Sequence, residues 1–452
     1  MPSGCPKNWI CRYTGQHKNQ AMNNLIQIFL ASLPKLPFVS RLLAVALIMC
    51  FSLSNQAFAQ LALDSRLLQQ ENWIEGDRPL QLKALGGIKY DSNLFRISDD
   101  PDPQTVIGSP NKDDYIYRLG VGVRYGVEYS RQKFVLDGQV DGYRYQNFDN
   151  LNNVSNNLRG EWKWQVGNFW DGNLGLGHRH YLSPFADVQQ NVKDMIDHDS
   201  AYGSANYAVH SHLRLTLDLS ADDQSHSADS RQSLDSKINT RALTVNWVTP
   251  AQNTVGLRYR TSDARYPNQQ IVAGSPVDNA YRDNEYSLVA RWFATGASDI
   301  QFRVGHIERD FDTASNRNFS GPTWRLDYGW RPPGKMALAL SIWQELAPFE
   351  DLTSNYARTT GISAIPNWSI TQQVTLQATA AYQMRKYLGD PGITPIVQRR
   401  EDKEQLYQVA TIWTPARQTN LTFAVETGKR TSNQALADYS YQLVSVLASR
   451  TF

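Results

Sequence analysis

Tyr115-Ile-Tyr-Arg-Leu-Gly-Val-Gly-Val-Arg-Tyr-Gly-Val127 decides the fold of this chain. Every second residue is apolar or aromatic: Tyr115, Tyr117, Leu119, Val121, Val123, Tyr125, Val127. The alternate set reads Ile116, Arg118, Gly120, Gly122, Arg124, Gly126. Successive side chains of a β-strand point to opposite faces, so the stretch has one apolar and one polar wall. A helix would scatter the same residues around its axis. The pattern recurs. Leu213, Leu215, Leu217 and Leu219 oppose Arg214, Thr216, Asp218 and Ser220; Trp324, Leu326, Tyr328 and Trp330 oppose Arg325, Asp327 and Gly329; Leu421, Phe423 and Val425 oppose Thr422, Ala424 and Glu426.

About 18 such segments run from near Leu80 to Phe452, separated alternately by short and long gaps. Short gaps fall near Ser130–Gln132, Gly167–Asn168, His210–His212, Thr249–Asn253, Thr295–Ala297, Arg331–Gly334, Pro366–Ser369 and Thr414–Arg417. Pro lacks a ladder donor and Gly tolerates unusual dihedrals, so both end strands. Trp247, Trp292, Trp330, Trp368 and Trp413 sit beside these turns. Amphipathic indoles concentrate where lipid meets water, which makes this rim an aromatic girdle. The long gaps, Ser92–Asp113, Leu182–Ser200, Ala221–Asp235, Ser262–Ala280 and Arg385–Glu401 among them, are polar and acidic. The expectation is an all-β fold: a single transmembrane antiparallel β-barrel of about 18 strands (16–18), spanning 80–452, with short periplasmic turns and long extracellular loops. Backbone groups in lipid must all be paired, so such a sheet has to close on itself. A barrel strand needs only about 9–11 residues with alternate positions apolar, so the absence of a long apolar stretch beyond residue 59 fits.

Residues 1–59 read as a cleaved signal peptide. Lys7, Arg12, Lys18, Lys35 and Arg41 precede or open an apolar run, Leu42–Leu53, that ends at Ala57-Phe58-Ala59. A lipoprotein at Cys50 is the weaker alternative, because Met49 before it is not small. Residues 60–79 are expected to form a short periplasmic segment. Cys5, Cys11 and Cys50 all lie in the leader, so the remaining chain offers no disulfide or thiol chemistry. That remainder holds 40 basic and 43 acidic residues, a formal charge of −3, which argues against nucleic-acid binding. Terminal Phe452, with Val444, Val446 and Ala448 at alternating positions, resembles the signal read by the barrel assembly machinery; Arg450 departs from it.

The clearest strands assign inward charges. Arg118, Arg124, Arg214, Arg258, Arg260, Arg303 and Arg325 are the basic pore-lining candidates; Asp137, Asp141, Asp218, Asp327 and Glu426 are the acidic ones. Arg rings favour anionic groups in a pore, whereas mixed charges can simply neutralise one another and stiffen the barrel. Tyr143, Tyr145 and Trp343 add aromatic faces that can stack on sugars. His178, His180, His210, His212 and His306 sit in no nucleophile motif. His178-x-His180 shares a strand face but lacks an evident third metal ligand. The sequence therefore calls for no cofactor, metal or catalytic residue.

At the exit of the first segment stands Gly86-Gly-Ile-Lys-Tyr-Asp-Ser-Asn-Leu-Phe-Arg96. This Tyr-Asp-x-Asn-Leu-Phe-Arg run, followed by an 18-strand-sized barrel, resembles the EpsL family of exosortase-associated outer-membrane proteins. The resemblance implies a role in extracellular polysaccharide biosynthesis and export, translocating or anchoring the polymer at the outer membrane. Its implied partners are outer-membrane lipid, extracellular polysaccharide and periplasmic polysaccharide-export proteins. Asp91, Asn93 and Phe95 are its signature. Asp91 and Asn93 would cap the strand exit and Phe95 would sit at the outer interface. Three rivals stand beside this reading: a general or anion-leaning porin, which an inward-folded constriction loop would favour; an outer-membrane enzyme; and a surface scaffold or adhesin. Fold does not decide among them.

Overall fold

The computed structural model describes residues 78–452, apart from 187–188, 273–274, 314, 348–355 and 389–398. The expected signal peptide, its cysteines and most of the expected periplasmic segment lie outside the described residues. Eighteen strands form one antiparallel sheet. They are β1 (Leu80–Asp91), β2 (Asp114–Tyr129), β3 (Gln132–Tyr145), β4 (Asn153–Val166), β5 (Trp170–Leu182), β6 (Met195–His210), β7 (Leu213–His226), β8 (Ser236–Val248) and β9 (Thr254–Arg265), then β12 (Tyr281–Thr295), β13 (Ser298–Phe311), β14 (Phe319–Trp330), β15 (Met336–Ala347), β16 (Tyr356–Ser369), β17 (Val374–Leu388), β18 (Glu401–Ala416), β19 (Thr419–Ser432) and β20 (Tyr439–Thr451). Between β9 and β12, β10 (Gln270–Val272) and β11 (Ser275–Val277) form a separate hairpin in the connecting loop. A single-turn helix, α1 (Pro103–Ile107), lies in the first long loop.

The sheet closes. β20 pairs antiparallel with β1 from Lys83↔Thr451 to Asp91↔Leu443. Phe452 finishes the seam by exchanging backbone hydrogen bonds with Leu82, Phe452 N donating to Leu82 O at 2.7 Å. No open edge is left for lipid to meet.

Side-chain exposure is inverted relative to a water-soluble sheet. On β2, Leu119 is 74% exposed, while Ile116 on the opposite face is 3% exposed. Val121, Leu136, Leu158, Leu257, Ile362 and Val425 are also exposed apolar residues, and together they form an outward belt that only a bilayer satisfies. Trp247, Trp292, Trp368 and Trp413 are exposed on that surface beside the short turns, with Trp330 on the same face of β14. The aromatic girdle is where the sequence places it.

Two short turns are displaced from their expected positions. β16 continues through Pro366 to Ser369, and the turn lies at 370–373. Pro366 faces Leu338 of β15, and no β17 partner is paired with it, so its missing N–H breaks no ladder bond. β18 runs through Pro415 to Ala416 by way of an irregularity in its pairing with β19, and the turn is Arg417-Gln418. The long loops are shorter than read. β6 begins at Met195, β7 runs to His226, β9 to Arg265 and β17 to Leu388. Above the lipid both strand faces meet polar surroundings, so Ala221-Asp-Asp-Gln-Ser-His226 is ladder-paired without any apolar alternation.

Candidate functional site

The inner wall is a chain of ion pairs between neighbouring strands. Arg118 on β2 donates from Nε and Nη2 to both carboxylate oxygens of Asp141 on β3, at 3.0 and 3.1 Å. Gly120 lies directly opposite Asp141, and a Cβ there would come within 2.0 Å of Oδ1, so only glycine leaves room for this bidentate pair. Arg124 reaches Asp137 at 3.4 Å. Arg325 grips Asp327 two residues on, at 2.8 and 3.0 Å, and the Ser341 hydroxyl donates to the same carboxylate.

The densest part lies on β9 to β15. Register aligns Asp218, Ala242, Arg260, Glu285 and Ile307 across five strands. Glu285 accepts from Arg260 Nε at 2.8 Å, and from the Thr323 hydroxyl at 3.3 Å. Arg303 stands 3.8 Å from Glu285 and bonds Glu345 on β15. Arg258, two residues along β9 from Arg260, has no hydrogen-bond partner for Nε among the described residues. Arg260 and Arg303 thus share Glu285, with Glu345 bound to Arg303, and Arg258 and Asp218 flank this cluster along the wall. Arg214 faces inward near the short-turn rim, opposite Asn246. Glu426 takes a different role: it accepts from Gln408 at 2.6 Å and from the Tyr441 hydroxyl at 2.8 Å. Trp343 lies flat over its cross-strand partner Gly361 and beneath Arg325. Of the aromatic residues that the sequence places on the inner wall, Trp343 is buried, and Tyr143 and Tyr145 pack against an apolar loop cluster.

Several wall residues escape the sequence reading: Glu285, Glu345, Asp283 with Arg309, and the group Arg385, Glu404, Asp402, Arg400 and Arg430. Arg309 binds Asp283 bidentately at 2.7 and 2.8 Å and stacks 3.7 Å over Tyr281. All of these wall residues but Arg400, which directly precedes β18, sit on the extracellular halves of their strands, where polar residues fill both faces and the alternation signal vanishes. Only the register to neighbours identifies them.

The first long loop folds inward over this wall. Its apolar residues Leu94, Phe95, Ile97 and Ile107 pack with inward-facing Ile116, with Phe148 and Leu151 of the second long loop, and with Phe185 of the third. Tyr143 and Tyr145 flank this cluster. Phe95 is fully buried, edge-on to Phe148 and Phe185 at 4.7 Å each. The sequence expectation that Phe95 meets the outer interface is corrected: it is the centre of an apolar plug that exists only once three loops converge. Asp91 and Asn93 do cap the strand exit. Asp91 accepts from Asn93 N at 3.2 Å, and the Asn93 side chain bonds both the N–H and carbonyl of Ile97 and the carbonyl of Ser440. The third long loop, leaving β5, reaches the far wall: Arg430 of β19 donates to the Ala186 carbonyl at 2.7 Å. Asn191 of the same loop donates to the Ile107 carbonyl. Two loops therefore lie across the mouth.

Asp194, at the end of that third loop, is buried against His226 and Arg231, at 2.8 and 3.0 Å. Burial pushes its carboxyl up, but the His226 hydrogen bond, the Ala228 N–H and the His226 and Arg231 charges outweigh it and hold it below the usual range.

The histidines singled out by sequence do not converge. His178 and His180 point outward and pair with Asp199 and Asp197, at 2.7 Å each. His210 and His212 belong to a short turn, where His212 stacks on Trp247. His306 faces outward on β13, opposite Tyr286. Among the described residues no three metal-ligating side chains come together.

No family model and no curated protein matches this chain. Among solved structures it is similar to the outer membrane protein opdK from Pseudomonas aeruginosa, at 10% identity and a TM-score of 0.45, covering 84% of this chain and 100% of that one. It is also similar to OccK9 (OpdG) of the same organism, at 11% and 0.46 over 82% and 98% of the two chains, and to OccAB3 of Acinetobacter baumannii, at 9% and 0.44 over the same shares. At such values the likeness says nothing about cargo. The closed seam, the outward apolar belt and the tryptophan rim are what make this chain an outer-membrane β-barrel.

Proposed function

We propose that the protein is a passive, porin-like channel for hydrophilic solutes that carry negative charge. The observation that supports this most directly is the inner wall around Glu285, where Arg260 and Arg303 share Glu285, Arg303 also bonds Glu345, and Arg258 stands two residues along β9 from Arg260. Guanidiniums bind carboxylates and phosphates in a geometry that a passing anion can borrow and return. Pairing to wall carboxylates keeps each site weak enough for the anion to leave. The inward-folded first and third loops narrow the mouth, as a constriction does. In planar bilayers the isolated barrel is expected to conduct with preference for chloride over potassium. Cation preference, or no conductance, would count against a channel of this kind.

A second reading is favoured by one observation. The Tyr90–Arg96 run, which resembles that of EpsL-type proteins, is here the device that anchors the inward loop. On that reading the solute is an extracellular polysaccharide threading outward from periplasmic export partners, and aromatic wall residues such as Trp343 and Tyr143 contact its sugars. Added acidic polysaccharide should then block the conductance, and a clean deletion should remove surface polymer while precursors continue to be made. Conductance insensitive to polymer, with normal surface polysaccharide in the deletion, leaves only the small-solute reading.

A further inference from the structure

The outward surface of β16 to β19 carries a concentration of positive charge that the channel reading does not use. Arg358 and Lys386 are direct cross-strand partners. Lys386 in turn faces Glu401, and Lys403 faces Met384 on one side and Thr431 on the other. Lys429 faces Gln405, one diagonal step from Lys403. These residues alternate with the inward Arg385, Asp402 and Arg430, all buried, and so belong to the outer wall. The Lys386 and Lys403 side chains are 42% and 51% exposed. Among the described residues Glu401 is the carboxylate that meets these cations, 3.4 Å from Lys386 and 3.8 Å from Lys403.

Like charges facing each other on neighbouring strands are destabilising. Elsewhere on the outer rim several described cations are matched: Lys237 with Asp223 and Arg282 with Asp263, each at 2.6 Å, and His178 and His180 with Asp199 and Asp197. The β16–β19 sector instead sets four cations around Glu401. Its depth identifies the counter-charge. Exposed Tyr407 and Val409 on β18, Ile362 on β16 and Val425 on β19 lie on the same outward faces toward the short turns, and mark the apolar belt. Lys403 is four residues beyond Tyr407, about 13 Å along the strand and less along the tilted barrel axis. That is headgroup depth in the extracellular leaflet, which in an outer membrane is built of phosphorylated glycolipid.

We propose that Arg358, Lys386, Lys403 and Lys429 form a docking surface for the phosphate groups of an outer-leaflet glycolipid, with Glu401 spacing Lys386 and Lys403. Four cations on adjacent strands match a headgroup with two separated phosphates, and Lys and Arg are the standard donors to such groups. The surface is independent of what passes through the lumen.

The test uses the barrel isolated from outer membranes in detergent, with bound lipid counted by native mass spectrometry. The probes are bisphosphorylated lipid A and the same lipid with both phosphates removed. Wild type is expected to retain about tenfold or more of the phosphorylated form over the other, since each basic residue at an anionic lipid surface contributes on the order of 1 kcal/mol. The K403Q/K429Q double variant should lose most of that preference, whereas K237Q, in the balanced sector, should keep it. Equal retention of the two lipids by wild type overturns the proposal, as does a preference unchanged in K403Q/K429Q. Displacement of the lipid by millimolar inorganic phosphate alone also overturns it, by reducing the surface to a free-anion site. Both substituted lysines are exposed, and unchanged heat-modifiable migration of the variants establishes that the barrel still forms.

Discussion

Arg96 and Asp91 form a bidentate ion pair at the mouth of the barrel, at 2.7 and 3.0 Å, and the Arg96 guanidinium lies 3.5 Å over the Tyr441 ring. Arg96 holds a left-handed backbone, φ 56°, which costs a non-glycine residue on the order of 1 kcal/mol. The pair, the ring and the Asn93 carbonyl together fix that conformation and turn the first loop inward. Removing one partner strands a buried charge. R96A is therefore expected to release the first loop, at a local cost of about 3–5 kcal/mol. Limited trypsin digestion reads this as rapid cleavage at Lys112 with the barrel intact. The D91N/R96A double variant should be milder than either single change, and a double variant as severe as R96A argues against pair-specific anchoring.

Phe95 tests the apolar half of the same anchor. F95A removes a fully buried ring from between Phe148 and Phe185 and should weaken the loop cluster by about 3–5 kcal/mol. The expected readout is a larger, noisier single-channel conductance with unchanged barrel melting. Wild-type conductance in F95A would mean that the cluster does not narrow the mouth.

Glu285 tests the wall. E285Q removes the carboxylate that Arg260 and Arg303 share, and leaves their positive charge to the lumen. Reversal potentials under a salt gradient should move toward anions. R260Q should move them the opposite way. Shifts of the same sign in both variants would exclude local charge as the cause.

Asp194 gives a pH dependence. Its carboxyl is held below the ordinary range, so its contribution to stability is fully present above about pH 4, the unfolded value, and is lost as pH falls through the lower folded value. Hydrogen exchange in residues 189–194 and 227–235 should accelerate below about pH 4 while the strand core stays protected. D194N should show the accelerated exchange at neutral pH.

Gly361 tests the fit of side chains lying across the inner wall. A Cβ there would fall 2.3 Å from Trp343 Cζ2, so G361V should impair barrel assembly, seen as loss of the heat-modifiable band. G296A, in a turn with nothing within 4 Å of the new carbon, should assemble normally.

Strand number, closure of the sheet and the tryptophan rim were legible in the sequence. The reason is that lipid imposes a simple rule on one face only: Leu119, Val121 and Val123 must be apolar, and Arg118 and Arg124 on the alternate face must not meet the bilayer. The rule stops where the lipid stops. Strand extensions such as Ala221–His226, the outer-half wall residues Glu285 and Arg309, and the turn beyond Pro366 were therefore not readable, because nothing there forces alternation. The mouth was decided by tertiary structure alone. Phe95, Phe148 and Phe185 are far apart in the chain and lie in three loops, and Arg430 meets Ala186 only because the closed barrel brings β19 within reach of a loop leaving β5. Local sequence determines which way a side chain faces on a strand; which distant residue it then meets depends on closure of the ring, which no single segment encodes.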